Sequence, residues 1–440
     1  MHTVQDIDQE KISIITLGCS KNIVDSEVLM RQISAHNLAL VDEPSDADVL
    51  IINTCGFIDA AKEESVNTIL EAAEMKRSGA IKKLLVAGCL SERYSDDLKD
   101  EIPEVDRFFG VTDFANILRE FGVDFKKELL GERSLTTPAH YAYLKISEGC
   151  DNPCSFCAIP IMRGGHVSQP IEALVHEAKH LAMQGVKELV VIGQDTTYYG
   201  WDIYNDRKLA RLLEELSDVE GIDWIRLMYA FPSHFPRDVI DVIRDRPNIC
   251  KYLDMPIQHV DDKVLKSMRR GITRRATEEL IAEIRDRIPE IALRTTLIVG
   301  YPNETEAAFE TLYRFVEETK FDRLGVFTYS VEDDTTAAIL SDTVSAEEKE
   351  ERKNAILDLQ SGISQEKNEA KIGQTLKVLF DRIEGDYAVG RTEFDTPEVD
   401  NEVLVPLSAF NNDPVAGTFR HITISEAQEY DLIGIPHETT

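Results

Sequence analysis

Positive charge is scarce in this chain. Its 440 residues carry 48 Lys and Arg against 80 Asp and Glu, a formal net charge of −32. A surface so acidic repels nucleic-acid phosphates and favours basic partners; it equally serves simply to keep a chain soluble. Long apolar runs are also missing, so no segment reads as a transmembrane helix, and no membrane partner is expected. The first residues, Met1-His-Thr-Val-Gln-Asp-Ile-Asp, lack the basic and apolar regions of a secretory signal, so a cytoplasmic location is expected. Cysteine is sparse, seven in all. In a reducing compartment those thiols are metal ligands or catalytic groups before they are disulfides. No internal repeat or low-complexity stretch complicates the division into domains. The composition is 43% hydrophobic, enough for real cores, and the length calls for two or three domains.

The cysteines fall into two groups of three with one left over. One group is tight, Cys150-x3-Cys154-x2-Cys157, inside Glu148-Gly-Cys-Asp-Asn-Pro-Cys-Ser-Phe-Cys157. The other is dispersed: Cys19, Cys55 and Cys89 each close an apolar, strand-like run. Cys250 stands alone and reads as a buried thiol. Three thiolates leave one iron of a four-iron cube open, so either triplet can offer a position for a further ligand.

The pattern of short apolar runs and helical segments predicts an α/β chain of three parts. Residues 1–130 read as an N-terminal α/β domain with strands at 11–18, 48–53 and 82–88 and helices at 25–35 and 60–77, which implies a parallel sheet. A polar stretch at 131–138 reads as a linker. Residues 136–372 carry six strand candidates, 141–147, 188–193, 224–229, 252–257, 295–299 and 324–328. Helical patterns at 171–184, 207–217, 237–245, 262–287 and 304–319 separate them, the signature of a β/α barrel, complete or partial. The Glu- and Lys-rich run 345–371 reads as a long solvated helix. Residues 373–440 turn to short β segments at 375–381, 387–391, 403–407 and 419–424, a small β-barrel.

Each cysteine group has a bland and a chemical reading. Pro153 and Gly149 keep the tight triplet in an irregular loop. Zinc would want a fourth ligand nearby, for which His166 is the nearest candidate beyond Pro160 and Gly164-Gly165. A disulfide would strand one thiol. A four-iron cluster with one open iron suits the spacing best. A lone cysteine of the dispersed set reads as a small buried hydrophobe. Three at matching strand ends, each beside a glycine, converge along one edge of a parallel sheet, where ligand sites form.

The tight loop resembles that of the radical S-adenosylmethionine (SAM) enzymes. The resemblance implies a [4Fe–4S] cluster on Cys150, Cys154 and Cys157 whose fourth iron is chelated by SAM, with one-electron cleavage of SAM to a 5′-deoxyadenosyl radical. It places Phe156 near the adenine. Around the expected barrel mouth, Gln194, Gln258, Arg294 and Gly300 are candidates for SAM contacts. Arg294 reads equally as a partner for the SAM carboxylate or as a rim ion pair, and Gln258 and His259 read equally as satisfied polar residues at a strand end. The segment Arg294-Thr-Thr-Leu-Ile-Val-Gly-Tyr-Pro302 is similar to the superfamily's adenine-binding strand.

With Cys19, Cys55 and Cys89 included, nearly the whole chain resembles the methylthiotransferases. That family implies a second [4Fe–4S] cluster on those three residues that delivers sulfur, a C-terminal barrel of the TRAM type, and SAM as both methyl donor and radical source. One branch modifies adenosine in transfer RNA; the other modifies an aspartate β-carbon in protein twelve of the ribosomal small subunit. The strings Leu17-Gly-Cys-Ser-Lys-Asn-Ile-Val-Asp-Ser-Glu27, Asn53-Thr-Cys-Gly-Phe-Ile58, Gln194-Asp-Thr-Thr-Tyr-Tyr-Gly200 and Tyr252-Leu-Asp-Met-Pro-Ile-Gln-His259 resemble the second branch. Charge points the same way. From Gln374 to Thr440, 4 Lys and Arg face 13 Asp and Glu, a net of 4 − 13 = −9, where an RNA-binding barrel calls for a basic stripe. The expected partners are therefore a ribosomal small-subunit protein, free or on the ribosome, and an electron donor, with nucleic acid disfavoured as direct substrate.

Overall fold

A computed structural model describes residues 10–412 and 414–437, so the reading of residues 1–8 lies outside it. The chain forms two compact units. The first comprises Met1–Thr136, Glu148–Asp151 and Ala158–Val167; the second comprises Thr137–Ser147, Asn152–Cys157 and Ser168–Thr440.

In the first unit, alternating strands and helices build a parallel five-stranded sheet. Its order is Ala39–Leu40, Lys11–Thr16, Val49–Thr54, Lys83–Gly88, Arg107–Phe108. The central strand runs Val-Leu-Ile-Ile because both its faces are covered. Leu50 and Ile52 pack with Ile69 and Ala72 of helix Asp59–Arg77 on one side. Val49 and Ile51 pack with Leu29 and Ile33 of helix Ser20–Ala35 on the other. Each such side chain contributes roughly 1.5–3 kcal/mol on burial. Thr16 is paired with Asn53, and Asn53 with Ala87, so the three long strands end flush. That common edge carries the dispersed cysteines.

The stretch expected to be a linker is fastened instead. Arg133 and Glu27 form a buried ion pair at 3.3 Å, and the Thr136 N–H donates to the same carboxylate at 2.8 Å. Its polar composition serves an internal carboxylate rather than solvent.

The second unit contains an open six-stranded parallel sheet in simple sequence order: Tyr141–Lys145, Glu188–Ile192, Trp224–Leu227, Ile249–Asp254, Ala292–Val299, Arg323–Thr328. It is therefore the partial form of the barrel. The helix expected over 262–287 is two, Asp262–Ser267 and Arg274–Arg287. Between them Arg269 and Gly271 take positive φ values of 56° and 65°, which no continuous helix accepts. Helix Ala346–Glu369 is less solvated than its composition implied. Its Lys349, Arg352 and Gln360 are buried; Arg352 pairs with Glu304 at 3.0 Å, and Gln360 donates to the Phe321 carbonyl at 3.0 Å.

The C-terminal strands close a five-stranded barrel in the order Thr375–Glu384, Tyr387–Thr392, Val403–Pro406, Leu432–Pro436, Phe419–Ala427. Some of its acidic groups, Asp381, Asp395 and Asp400, join an internal ion-pair network with the sheet. Glu188, the first residue of its strand, meets Arg226 at 2.7 Å and Arg391 at 2.9 Å. Asp395 pairs with Arg323, which opens another strand, and Tyr252 donates to Asp400 at 2.7 Å. Asp381 binds Arg391 and His140, each at 2.7 Å. The small barrel is thus bound to residues near the N-terminal ends of the sheet strands. Its negative charge is a weaker sign of a basic partner than the count alone implies.

Candidate functional site

Cys19 caps helix Ser20–Ala35, Cys55 follows strand Val49–Thr54, and Cys89 opens helix Cys89–Glu101. Their neighbouring glycines let the three turns close on one another. A Cβ on Gly18, where φ is +89°, would lie 2.6 Å from the Cβ of Cys55 and 2.8 Å from its sulfur. One on Gly56 would meet the Leu90 nitrogen at 2.8 Å and the Cys89 carbonyl carbon at 2.9 Å. Cys55 itself is held by Ser65, whose hydroxyl accepts from the Cys55 N–H at 3.0 Å and donates to its carbonyl at 2.9 Å. Cys19 is exposed while Cys55 and Cys89 are buried. Burial pushes the Cys55 thiol up and the Cys89 thiol up to about 12, so occupancy by a metal must displace protons there. Among the described residues, no three His, Cys, Asp or Glu side chains gather tightly enough for a single metal ion. A four-iron cube takes one thiolate per iron, so its ligands spread more widely. Three soft thiolates crowded by glycines that leave no room for a Cβ fit such a group.

Arg163 was not singled out in the sequence. It ends the short helix Ile159–Arg163, whose Ala158 and Met162 pack against Cys89. Its buried guanidinium donates to Glu148 at 2.8 Å and to Asp25 at 3.3 Å, and also to Asn22.

The tight cysteine loop is held at both ends. In the first unit, the Cys150 N–H donates to the Gly164 carbonyl at 3.1 Å. Gly149, at φ +72°, passes so close to the Gly164 and Gly165 carbonyls that a Cβ would fall 2.0 Å from the latter. His166, the candidate zinc ligand, is buried, with its backbone N–H on Asp151 at 2.9 Å. In the second unit, the Cys157 N–H donates to the Cys154 carbonyl at 3.2 Å. Ser155 fastens the loop to the segment before Gly271: its N–H donates to Met268 O at 3.0 Å and its hydroxyl to Ser267 O at 2.9 Å. From that segment the buried Arg270 donates to the Cys154 sulfur at 3.3 Å and to the Pro256 carbonyl. Its guanidinium stacks 4.1 Å above the Phe231 ring. Arg270 was also missed, because it lies inside the stretch 262–287 that reads as one helix.

The expected SAM contacts separate in the structure. Phe156 packs partly buried with Val264, Met268, Tyr301 and Tyr329. Gln194 is half-buried beside Asp195, which accepts from Asn152 in the cysteine loop at 2.7 Å. Gln258 takes φ +72° beyond its strand and bridges to Leu297. Its Oε1 is buried with no hydrogen-bond partner. By contrast His259 is satisfied, with Glu304 at 3.1 Å and the Asp261 N–H at 3.0 Å. Arg294 follows the ion-pair reading: it binds Asp254 at 2.9 Å and Asp400 at 3.4 Å. It is the third residue of Ala292–Val299, roughly 16 Å of extended chain short of the strand's C-terminal end, where barrel sites form. Gly300 does lie just past that end, but its N–H is bound by Glu304 and its open face is filled by Lys349. Cys250 is buried in its strand with its thiol pushed by burial up to about 12. A cavity of about 980 Å³ adjoins Pro153 of the cysteine loop, with Lys266 and Arg269 on its rim and Phe235 and Leu280 in its wall.

Set against known proteins, this architecture is that of a radical SAM enzyme. Residues 144–316 match the radical SAM superfamily, residues 372–436 the TRAM domain, and residues 11–110 a family described as uncharacterized protein family UPF0004. Among solved structures, the radical SAM methyltransferase TsrM from Kitasatospora setae superposes with a TM-score of 0.56 at 13% identity, covering 75% of this chain and 77% of that one. The cobalamin-dependent SAM radical enzyme OxsB gives 0.52 at 11%, covering 80% and 56%; both show the fold. Closer in sequence are proteins named ribosomal protein uS12 methylthiotransferase RimO. The one from Cytophaga hutchinsonii is 57% identical over 96% of this chain and 97% of its own length. Those from Christiangramia forsetii and Chloroherpeton thalassium are each 54% identical, over 99% and 97% of this chain and 96% and 98% of their own lengths. The chain belongs to the RimO family of ribosomal protein uS12 methylthiotransferases.

Proposed function

We propose that this chain attaches a methylthio group to the β-carbon of an aspartate in ribosomal protein uS12, with SAM as methyl donor and radical source. The observation that carries the reading is the crowding of the Cys19, Cys55 and Cys89 turns at one sheet edge, in a chain that also bears the Cys150, Cys154 and Cys157 loop. When bound, the two [4Fe–4S] clusters supply one-electron cleavage of SAM and the sulfur that is inserted.

The chain's own residues provide the frame. Arg270 places positive charge on Cys154 and fixes the loop to Pro256. Ser155 locks the same loop to Ser267 and Met268. Gln258 presents a buried acceptor two residues beyond Pro256, suited to an ammonium group such as that of SAM, and buried acceptors left unpaired cost about 1–3 kcal/mol. Phe156 belongs to the apolar wall of this region. Arg294 and Gly300 serve the fold by this reading, through Asp254 and Glu304. Hydrogen abstraction by a radical needs no general base, and none is assigned. The domain limits follow the same division: an N-terminal part to about residue 130, a radical SAM part over 136–372, and a TRAM-type barrel from 373. Among the described residues no helix is long and apolar enough to cross a membrane, and we place the reaction in the cytoplasm with ribosomes and a separate electron donor.

The test is reconstitution under anaerobic conditions with iron, sulfide, SAM, a chemical reductant and purified uS12. The reading predicts a methylthio mass increment on one aspartate of uS12. Release of 5′-deoxyadenosine without any modified uS12 would overturn the substrate.

A further inference from the structure

Arg163, a buried cation of the first unit beside the dispersed cysteines, is left without a task by the cluster assignments. Its side chain is 3% exposed. Around it stand Asn22 and Asp25 of helix Ser20–Ala35, which Cys19 caps, and Glu148, two residues before Cys150. Its own helix rests on Cys89 through Ala158 and Met162. The guanidinium lies within electrostatic reach of the thiols of Cys89 and Cys19. Burying an arginine is costly, and two nearby carboxylates more than balance its charge in the thiol form. Three polar neighbours, Asn22, Asp25 and Glu148, hold the guanidinium in place beside those two sulfurs.

We propose that Arg163 is a positioning residue for the cluster on Cys19, Cys55 and Cys89, a fixed cation whose place beside the sulfurs sets the cluster's reduction potential. A four-iron cluster on three thiolates is an anion, and each added electron deepens that charge. A fixed cation beside the sulfurs therefore favours the reduced form, and a fixed carboxylate opposes it. Arg163 and Asp25 thus act with opposite sign on one potential. The inference rests on the cysteine assignment above and adds to it a residue that no cysteine pattern reveals.

The experiment uses the full chain with Cys150, Cys154 and Cys157 replaced by Ala, so that the remaining triplet alone is loaded. Iron is counted after anaerobic reconstitution, and the midpoint potential is read by electron paramagnetic resonance during a redox titration. The parent is expected to hold about four irons. An iron-free parent would overturn the cysteine assignment and the inference with it. Given iron, R163Q is expected to lower the midpoint, D25N to raise it, and R163K to stay near the parent. Equal midpoints in R163Q, D25N and the parent would overturn the inference while leaving the cysteine assignment standing. Should R163Q lose its iron by misfolding, the upward shift in D25N decides alone, and its absence counts against the proposal.

Discussion

Gly18 lies directly against Cys55: a Cβ on the glycine would stand 2.6 Å from the Cys55 Cβ and 2.8 Å from its sulfur. Two residues 37 positions apart in the chain share one point because the strands before them end in register. Gly18→Ala is therefore expected to open the dispersed triplet. It adds a clash and a left-handed backbone that costs about 1–2 kcal/mol for a residue with a Cβ. Iron per reconstituted chain should fall from about eight to about four, while SAM cleavage by the other loop is kept. Iron and 5′-deoxyadenosine assays on one preparation read both.

Cys89→Ala separates the two chemistries in another way. Methylthiolation of uS12 should vanish while reductive cleavage of SAM persists. Loss of both, in protein that still melts cooperatively, would contradict a division of labour between the triplets.

Arg270 reaches the Cys154 sulfur at 3.3 Å and stacks on Phe231. Residues that orient a metal ligand typically matter by 10–100-fold, so Arg270→Gln should slow SAM cleavage by roughly that range. Lysine has the charge without the planar fork and is expected to restore only part of it. The rate of 5′-deoxyadenosine release under saturating reductant measures the effect.

Acid stability should reflect the buried pairs of the second unit. Burial works to raise the Asp381 carboxyl, but bonds and charge from His140 and Arg391 outweigh it and hold it below its ordinary value. For Asp395, burial is likewise outweighed, by Arg323 and Lys371. A carboxylate whose folded pKa is depressed stabilises the fold above its unfolded value, about 3.9, and loses that contribution as pH falls through the folded one. Asp400, raised by burial despite Arg294, acts in the opposite sense. Thermal melting from pH 7 down to about pH 3 should therefore fall off below about pH 4. Asp395→Asn should flatten that acid limb and cost about 3–5 kcal/mol at neutral pH, since it leaves Arg323 buried without its partner.

Much of this arrangement is legible in the sequence because it is periodic. Apolar runs such as Val49-Leu-Ile-Ile52 mark strands buried on both faces, and a cysteine at the end of each marks an edge. What escapes is set by partners distant in sequence. No sequence pattern singles out Arg163 or Arg270; the fold gives Arg163 its Asp25 and Glu148, and Arg270 its Cys154. Arg294 looked like a mouth residue because strand position is blurred in a run of branched side chains; its place near the strand's beginning gives it to Asp254 and Asp400. The fifth barrel strand, Leu432–Pro436, hides behind Gly434 and Pro436, which read as turn residues yet fit a strand whose Gly434 faces Ile422 at a distance no Cβ would tolerate.

The central claim is that the two cysteine triplets serve sulfur insertion into uS12. Its most direct test is mass spectrometry of ribosomal proteins and transfer RNA from cells lacking this gene. The account predicts that uS12 loses a methylthio increment, that the intact gene restores it, that a Cys89→Ala copy does not, and that methylthiolated adenosine in transfer RNA is unchanged. An unaltered uS12, or a loss confined to transfer RNA, would contradict it.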